Sequence, residues 1–258
     1  MINESSITIN INRACLALLV LFLAAGVPAR ASRLVDNLKA GRSQTVVAYG
    51  TSLTATGQWR ADLAGWLNTL DPEGKAKAVV HNSGLSGQAS QSGLNNLQGK
   101  VIKFKPDTVF IEFAINDAYS GPNYSPKHPD YGMTVEKSMA NLSRMIETLK
   151  EALPGVEIII QTMNPVWDSP HGSGVSAKSR PELDAYYEGY RQVAKEYGLL
   201  LIDHHPNWVR LREADPELFQ TYIRDGTHPT PAGSTAITTP QLKESLAMPA
   251  ASARGCCQ

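Results

Sequence analysis

The sequence predicts a three-layer α/β protein, in which helices cover both faces of a mainly parallel sheet of five strands. Short apolar runs alternate along the chain with segments of helical periodicity, which is the pattern of repeated β-α units. The 258 residues suffice for one ordinary domain with a substantial core. Neither an internal repeat nor a linker divides them, so a single domain is expected.

Five strand-like runs set the order of the sheet elements. They occupy residues 45–49, 77–81, 108–113, 156–161 and 199–203. Apolar residues at helical spacing lie between them. Two such faces are formed by Trp59, Leu63, Trp66, Leu67 and Leu70, and by Val135, Met139, Leu142, Ile146 and Leu149. A third helix is expected from Pro181 to Tyr197, and Thr230-Pro231 predicts the cap and first residue of a final helix that ends near Leu246.

Three of the strand-like runs end in loops that carry a polar group or a glycine. Ser52 follows the first run, Gly84 the second and Asn116 the third. Ligands of parallel α/β sheets bind at the carboxyl ends of the strands, so these three residues are expected at one edge. His228 immediately precedes the final helix, which can place it at the same edge.

Ser52 has two possible partners near the end of the chain, Asp225 and His228. A hydroxyl becomes a useful nucleophile when a base takes its proton, and that base works best when a carboxylate fixes its tautomer. Each part alone is a weak signal, because a serine in a turn most often bonds nearby backbone. Together they predict Ser52 as nucleophile, His228 as base and Asp225 as the orienting carboxylate of an acyl-transfer enzyme.

Four segments, in order, resemble the sequence blocks of the SGNH (GDSL-type) hydrolase superfamily. They are Gly50-Thr51-Ser52-Leu53-Thr54, Asn82-Ser83-Gly84-Leu85-Ser86-Gly87, Ala114-Ile115-Asn116-Asp117 and Asp225-Gly226-Thr227-His228. The resemblance spans roughly residues 44–246 and implies a flavodoxin-like strand order, 2-1-3-4-5. It also implies an esterase that needs no cofactor or metal, with an oxyanion hole formed by the N–H groups of Ser52 and Gly84 and the side-chain amide of Asn116.

Two residues depart from the pattern of that superfamily. Thr51 stands where the first block usually has Asp, and this change is expected to alter how the turn is braced. Ala114 stands where the third block usually has Gly. Alanine at that position would strain the backbone only if the position required a positive φ.

The first 31 residues have the features of a secretory signal peptide. Arg13 precedes a continuous apolar run over residues 16–25, and Ala29-Arg30-Ala31 follows as a cleavage site. Because Cys15 precedes the run, a lipid-modified cysteine is not expected. The predicted organisation is therefore a signal peptide (1–31), a hydrolase domain (32–248) and a disordered tail (249–258), in a periplasmic or secreted protein.

Composition excludes several other classes of protein. Lysine and arginine number 24, as do aspartate and glutamate, so the chain lacks the basic surface that nucleic-acid binding requires. No second long apolar stretch follows the first, so no membrane span is expected after cleavage. Oligomeric state cannot be read from the sequence.

Asp203-His204-His205 suggests a rival, because a metal-dependent phosphoesterase family carries an Asp-His-His motif. That family also needs early Asp ligands, and the first strand here ends in Ala48-Tyr49-Gly50. The preferred interpretation is a loop at a strand end with one exposed histidine. Asp117 is expected to brace the Asn116 loop, and Glu112 to lie within a strand.

Substrate class depends on two long loops, residues 118–131 and 163–180, that follow the third and fourth strands. Tyr119, Tyr124 and Trp167 lie among their Pro, Gly, Ser and Asn residues, and aromatic faces beside hydrogen-bonding groups suit sugars. The favoured function is removal of small acyl groups, such as acetyl, from a carbohydrate. The alternatives are a lysophospholipase or thioesterase-like acyl hydrolase of the same superfamily, and a non-catalytic glycan-binding relative.

Overall fold

A five-stranded, parallel sheet forms the centre of the protein, whose computed structural model describes residues 32–121 and 125–248. The strands are β1 (Gln44–Gly50), β2 (Ala78–Asn82), β3 (Thr108–Glu112), β4 (Glu157–Thr162) and β5 (Leu200–Asp203). Their order is β2-β1-β3-β4-β5, and every neighbouring pair is parallel. The predicted sheet and its strand order are confirmed, and each predicted run lies within one or two residues of its strand.

Helices cover both faces of this sheet. They are α1 (Arg33–Lys39), α2 (Ser52–Ala55), α3 (Gln58–Leu67), α4 (Ser90–Lys100), α5 (Ala114–Asp117), α6 (Val135–Ala152), α7 (Leu183–Glu196), α8 (His205–Ala214), α9 (Pro216–Tyr222), α10 (Pro231–Gly233) and α11 (Thr239–Ala247). Helices α1, α3 and α11 pack together in one layer, and α4, α6 and α7 pack together in the other. The three-layer architecture predicted from the alternating pattern is therefore present.

The final helix begins where Thr230-Pro231 predicts it, but it is not regular. Thr230 caps α10 by accepting a hydrogen bond from Gly233 N, and a π-helical turn (Ser234–Thr238) separates α10 from α11. Pro240 lies in the first turn of α11 and has no N–H to donate to the preceding turn. The missing bond explains why the helix widens there.

In the part of the chain that the structure describes, two hydrophobic clusters hold the fold together. The main core lies on both faces of the sheet, and all five residues of β3 are buried. A smaller cluster is built from Trp208, Phe219 and Ile223, with Trp167 packed against it. This second cluster lies under the segment that leads into Asp225, so it supports the end of the chain that carries the predicted base.

Some helices carry no clear apolar pattern and were not predicted. Helix α4 has the sequence SQSGLNNLQGK and buries Ser90, Ser92 and Gly93 beside Leu97. Its buried face consists mostly of small residues. A search for large apolar residues at helical spacing does not detect such a face. Within residues 32–121 and 125–248, no helix has the length and hydrophobicity needed to cross a bilayer. The predicted signal peptide and tail lie outside the described residues.

Candidate active site

The carboxyl edge of the sheet collects the predicted residues from three neighbouring strands. Ser52 is the first residue of α2, directly after β1, and Thr51 caps that helix by accepting a hydrogen bond from Leu53 N. Leu85 N donates to Gly50 O at 2.7 Å, which holds the Gly84 loop alongside the Ser52 turn. Asn116 lies in α5, immediately after β3.

A continuous chain of hydrogen bonds joins Ser52, His228 and Asp225. Ser52 Oγ lies 2.8 Å from His228 Nε2, and His228 Nδ1 lies 2.6 Å from Asp225 Oδ2. With the carboxylate accepting from Nδ1–H, Nε2 presents its lone pair to the serine hydroxyl. This arrangement can take the proton of Ser52 as its oxygen attacks a carbonyl carbon.

Asp225 is held as a carboxylate by its own loop. Burial raises the pKa of this carboxyl, but hydrogen bonds from the backbone N–H groups of His228 and Thr227 and from the His228 ring outweigh that effect and leave the pKa below its ordinary value. Both backbone groups donate to Asp225 Oδ1, at 2.7 and 2.9 Å. The other carboxylate oxygen is thereby left for the imidazole.

The loop of residues 163–180 fixes the Asp225–His228 turn from outside. Asn164 Nδ2 donates to Thr227 O at 2.8 Å, and Trp167 N donates to Gly226 O at 3.0 Å. Asn164 is fully buried, and its backbone carbonyl accepts from the hydroxyl of Tyr187 at 2.9 Å. The position of the imidazole therefore depends on β4 and α7 as well as on the final helix.

The three predicted oxyanion donors lie near Ser52 and His228, and they differ in whether their N–H groups already have hydrogen-bond partners. The N–H of Ser52 opens α2, a position whose N–H has no partner within the helix. Asn116 Nδ2 donates to Gln88 O at 3.0 Å and retains a second hydrogen. The N–H of Gly84 donates to Asn82 Oδ1 at 3.1 Å, so an incoming oxyanion would have to compete with that bond.

Gly84 lies so close to α2 that no other residue fits in its place. A Cβ there would be 2.3 Å from Ala55 N, far inside van der Waals contact. Asn82, which the sequence reasoning did not single out, donates to Ala55 O at 2.9 Å and so caps the end of the same short helix. The second loop thus supports the serine turn as well as facing it.

The two departures from the superfamily pattern have simple structural consequences. Ala114 opens α5, and among the described residues Lys105 is the only non-glycine with a positive φ, so the Cβ of Ala114 meets no backbone penalty. Thr51 bonds the buried carboxyl of Glu112 through both its N–H and its hydroxyl. Sequence reasoning placed Glu112 within a strand and missed this contact with the serine turn.

Two cavities flank His228. A small one of about 10 Å³ lies beside the Ser52 turn. It is lined by Leu53, Thr56, Gly57, Trp59, Met163, His228, Pro229, Ser234 and Thr238. A wide, open one of about 480 Å³ lies on the Asp225 side and is lined by His171, Arg224, Asp225, His228, Pro229 and Thr230. A third, of about 520 Å³, lies at the opposite edge of the sheet, beside Lys105 and Gly155, and is remote from the serine.

The aromatic residues predicted to bind substrate have distinct surroundings. Tyr119 is half-buried, and the Arg180 guanidinium lies 5.1 Å from its ring centroid. The indole N–H of Trp167 donates to Ile223 O at 2.6 Å, so this ring is anchored beside the second cluster. Tyr124 lies outside the described residues.

The Asp203-His204-His205 segment does not form an exposed loop, and the expectation of one exposed histidine is wrong. Both histidines are buried, and His205 is the first residue of α8. Asp203 pairs with Arg191 at 2.8 Å, and His204 Nε2 lies 3.1 Å from Gln161 Oε1. Within the described ranges, no group of three or more His, Cys, Asp or Glu side chains could hold a metal ion.

A family model and a curated relative each match more than half of the chain. The model of the GDSL-like Lipase/Acylhydrolase family matches residues 48–236. The uncharacterized lipoprotein YqeF of Bacillus subtilis (strain 168) is 25% identical, over 75% of this chain and 86% of YqeF.

Solved structures that share the fold include two enzymes. Axe2, an acetylxylan esterase from Geobacillus stearothermophilus, has a TM-score of 0.63 and 22% identity, over 82% of this chain and 97% of Axe2. A gut microbial diltiazem-metabolizing enzyme has a TM-score of 0.63 and 20% identity, over 79% of this chain and 47% of its own. Since the family model covers well over half of the sequence, the chain belongs to the GDSL-like lipase/acylhydrolase family, within the SGNH ester hydrolases.

Proposed function

We propose that this esterase removes small acyl groups, acetyl above all, from carbohydrate, with Ser52 as nucleophile, His228 as general base and Asp225 as the orienting carboxylate. The observation that carries the proposal is the hydrogen-bonded chain from Ser52 Oγ to His228 Nε2 (2.8 Å) and from His228 Nδ1 to Asp225 Oδ2 (2.6 Å). Both distances fall within ordinary hydrogen-bond range, as proton transfer during attack requires.

The proposed reaction proceeds through an acyl-enzyme. Ser52 Oγ attacks the ester carbonyl while His228 takes its proton, and the imidazolium that forms is stabilised by Asp225. His228 then gives the proton to the leaving alkoxide, and a water activated by the same base releases the acid. The N–H groups of Ser52 and Gly84 and the amide of Asn116 are the proposed oxyanion donors, and loss of one such donor typically lowers kcat about 10²–10³-fold.

The small cavity beside the serine turn supports a short acyl chain. Its volume of about 10 Å³ is close to the space that one water-sized group occupies. A methyl group is of that size, whereas a longer chain would displace Met163 or Leu53, which are both buried in the core. A lysophospholipase or a long-chain thioesterase would need an extended apolar trough in this place.

Support for a carbohydrate substrate comes from the other side of His228. The open cavity of about 480 Å³ has the volume for a sugar unit, and polar side chains of His171 and Arg224 line it. Trp167 is anchored next to the Asp225 turn through its contact with Gly226. Axe2, which has the same fold, is an acetylxylan esterase.

Export is proposed together with this function. Residues 1–31 are the proposed signal peptide and residues 32–248 the proposed hydrolase domain, and the naming of YqeF as a lipoprotein is consistent with export. The mature chain should begin at Ser32. An intact mass that retains residues 1–31 after export would reject this cleavage site.

The experiment that tests the function is ester hydrolysis by wild type and Ser52→Ala, with Ser245→Ala as a serine-to-alanine control in α11. The substrates are p-nitrophenyl acetate, butyrate and octanoate, and acetylated xylo-oligosaccharides. Ser52→Ala should lose activity while its circular dichroism stays unchanged, acetate should be the best p-nitrophenyl ester, and EDTA should have no effect.

Other outcomes would point elsewhere. Full activity in a folded Ser52→Ala variant would refute the mechanism, and a wild type without activity on any ester would favour a glycan-binding protein. Rates that rise from acetate to octanoate would favour the lipid or thioester alternative. Loss of activity in EDTA that a divalent ion restores would favour the phosphoesterase.

A further inference from the structure

Glu112 lies under the turn that presents Ser52. It is the last residue of β3, its side chain is buried, and the register of β1 against β3 pairs it with Gly50, two residues before the serine. A Cβ on Gly50 would be 2.2 Å from Glu112 Oε1. Because Gly50 has none, the carboxyl can lie directly against the backbone of this turn.

Residues on both sides of Ser52 donate hydrogen bonds to this one carboxyl. Thr51 N lies 2.7 Å and Thr54 Oγ1 lies 2.6 Å from Glu112 Oε1, and Thr51 Oγ1 lies 3.1 Å from each carboxyl oxygen. The same Thr51 hydroxyl oxygen accepts from Leu53 N, as the cap of α2. Every neighbour of Ser52 within the turn is therefore tied to Glu112, directly or through Thr51.

The opposite end of α2 is also fixed, so the short helix is clamped at both ends. Asn82 Nδ2 bonds Ala55 O, and Thr56 Oγ1 bonds Ser52 O at 2.9 Å. A helix of four residues has too few internal bonds to hold its own geometry. The direction of Ser52 Oγ and of the Ser52 N–H is therefore set by these outside contacts.

Burial and hydrogen bonding act in opposite senses on the pKa of the Glu112 carboxyl. Burial raises the pKa of this carboxyl to about 7, while the bonds from Thr54 and Thr51 act in the opposite sense. Thr51 stands where the superfamily pattern has an aspartate in the serine turn itself. Here the carboxyl comes from the neighbouring strand.

We infer that Glu112 is a positioning residue for catalysis, which acts through Thr51 and Thr54. It holds Ser52 Oγ in line with His228, and it keeps the Ser52 N–H directed toward the oxyanion. The inference rests on the proposed function of Ser52. A displacement of about 1 Å in a reacting group can cost about 10² in rate, so a loosened serine turn should lower kcat and leave substrate binding nearly unchanged.

The test compares Glu112→Gln with Glu157→Gln, measuring kcat and KM for p-nitrophenyl acetate and the rate of labelling by a serine-reactive fluorophosphonate. Glu157 is a matched control because it also accepts from a helix start, Arg33 N and Leu34 N of α1, but at the opposite edge of the sheet. In Glu112→Gln, kcat and the labelling rate should fall about 10–100-fold with KM within about threefold. Glu157→Gln should change melting temperature only.

A rescue experiment separates positioning from general destabilisation. Thr51→Asp returns a carboxylate to the turn and is itself a good helix cap, so adding it to Glu112→Gln should recover about tenfold in kcat. If Glu112→Gln does not fold, Thr54→Val removes one donor at nearly constant volume and should lower kcat about 3–10-fold with unchanged KM.

Two results would overturn the inference. One is a folded Glu112→Gln enzyme whose kcat is within twofold of wild type. If Glu112→Gln does not fold, the corresponding result is a Thr54→Val enzyme whose kcat is within twofold of wild type. The other is a loss of kcat that follows melting temperature equally in the Glu112 and Glu157 variants. Retained activity in Ser52→Ala would instead refute the underlying proposal on the nucleophile, so the two failures are distinguishable.

Discussion

At the scale of single residues, Asp225 has two separate tasks in the proposed triad. Its Oδ1 atom accepts from the N–H groups of Thr227 and His228 and shapes the turn, while Oδ2 accepts from the imidazole. An asparagine could preserve the first task, because its amide oxygen accepts the same backbone bonds. It would place an N–H toward the ring and so reverse the tautomer that His228 needs.

Asp225→Asn should therefore lower kcat for p-nitrophenyl acetate about 10²–10⁴-fold with little change in stability. The measurement is steady-state kinetics together with thermal unfolding. Asp215→Asn is the matched control, because Asp215 caps α9 through Leu218 N and asparagine caps helices equally well. A loss smaller than about tenfold in Asp225→Asn would remove the carboxylate from the mechanism.

Individual site residues differ in how visible they are from sequence. Ser52, Asp225 and His228 were named because a nucleophile, a base and an acid carry recognisable chemistry at recognisable positions. Glu112 and Asn82 were not identified as site residues, because their roles depend on which strands become neighbours in the sheet. Only the pairing of β1 with β3 brings a carboxyl 62 positions along from Gly50 into contact with the turn that follows it.

At the scale of elements, the small cavity is formed where α2, α3, the end of β4 and the π-helical turn meet. Met163 follows β4 and is 2% exposed, so it closes the cavity from the core side. None of this could be predicted from the sequence, because the widened turn arises from the local conflict between Pro240 and a continuous helix. The helix itself was predictable from Thr230-Pro231.

Met163→Ala should lengthen the acyl group that the enzyme accepts. Each extra buried CH₂ contributes about 0.8 kcal/mol, so the two in a butyryl group should raise the butyrate-to-acetate ratio of kcat/KM about tenfold. Met163→Leu keeps the volume and should leave the ratio unchanged. The truncation costs about 2–5 kcal/mol in stability, so folding is checked by circular dichroism. An unaltered ratio in folded Met163→Ala would place the acyl group elsewhere.

At the scale of the whole molecule, buried carboxyls tie the catalytic edge to the helical layers. Asp117 accepts from Ser90 N at 2.7 Å and from the hydroxyl of Ser138, which joins the starts of α4 and α6. It was expected to brace the Asn116 loop, and it connects that loop to two helices. Polar contacts between distant segments are hard to predict from sequence, whereas the alternation of strands and helices is a local pattern and was predicted.

Asp117 should make stability depend on pH. Burial raises its pKa to about 7, although bonds from Ser138 and Ser90 lower it. The folded protein therefore keeps a proton that the unfolded chain loses near pH 4. The resulting stabilisation is complete below about pH 4 and disappears as pH rises through about 7. His204, whose pKa burial lowers to about 3, acts in the opposite sense below pH 6.5, in wild type and Asp117 variants alike.

Asp117→Asn removes the titrating group and keeps the size of the side chain. The free energy of unfolding in urea is measured for both proteins at pH 5 and pH 8. The difference, Asp117→Asn minus wild type, should rise by roughly 2–3 kcal/mol from pH 5 to pH 8, because only wild type loses the stabilisation over that range. Asp71→Asn serves as the control. Backbone bonds, first from Ala76 N, lower the pKa of Asp71, so its effect should be constant over this range. A pH-independent difference between Asp117→Asn and wild type would show that Asp117 is already ionised in the folded protein at pH 5.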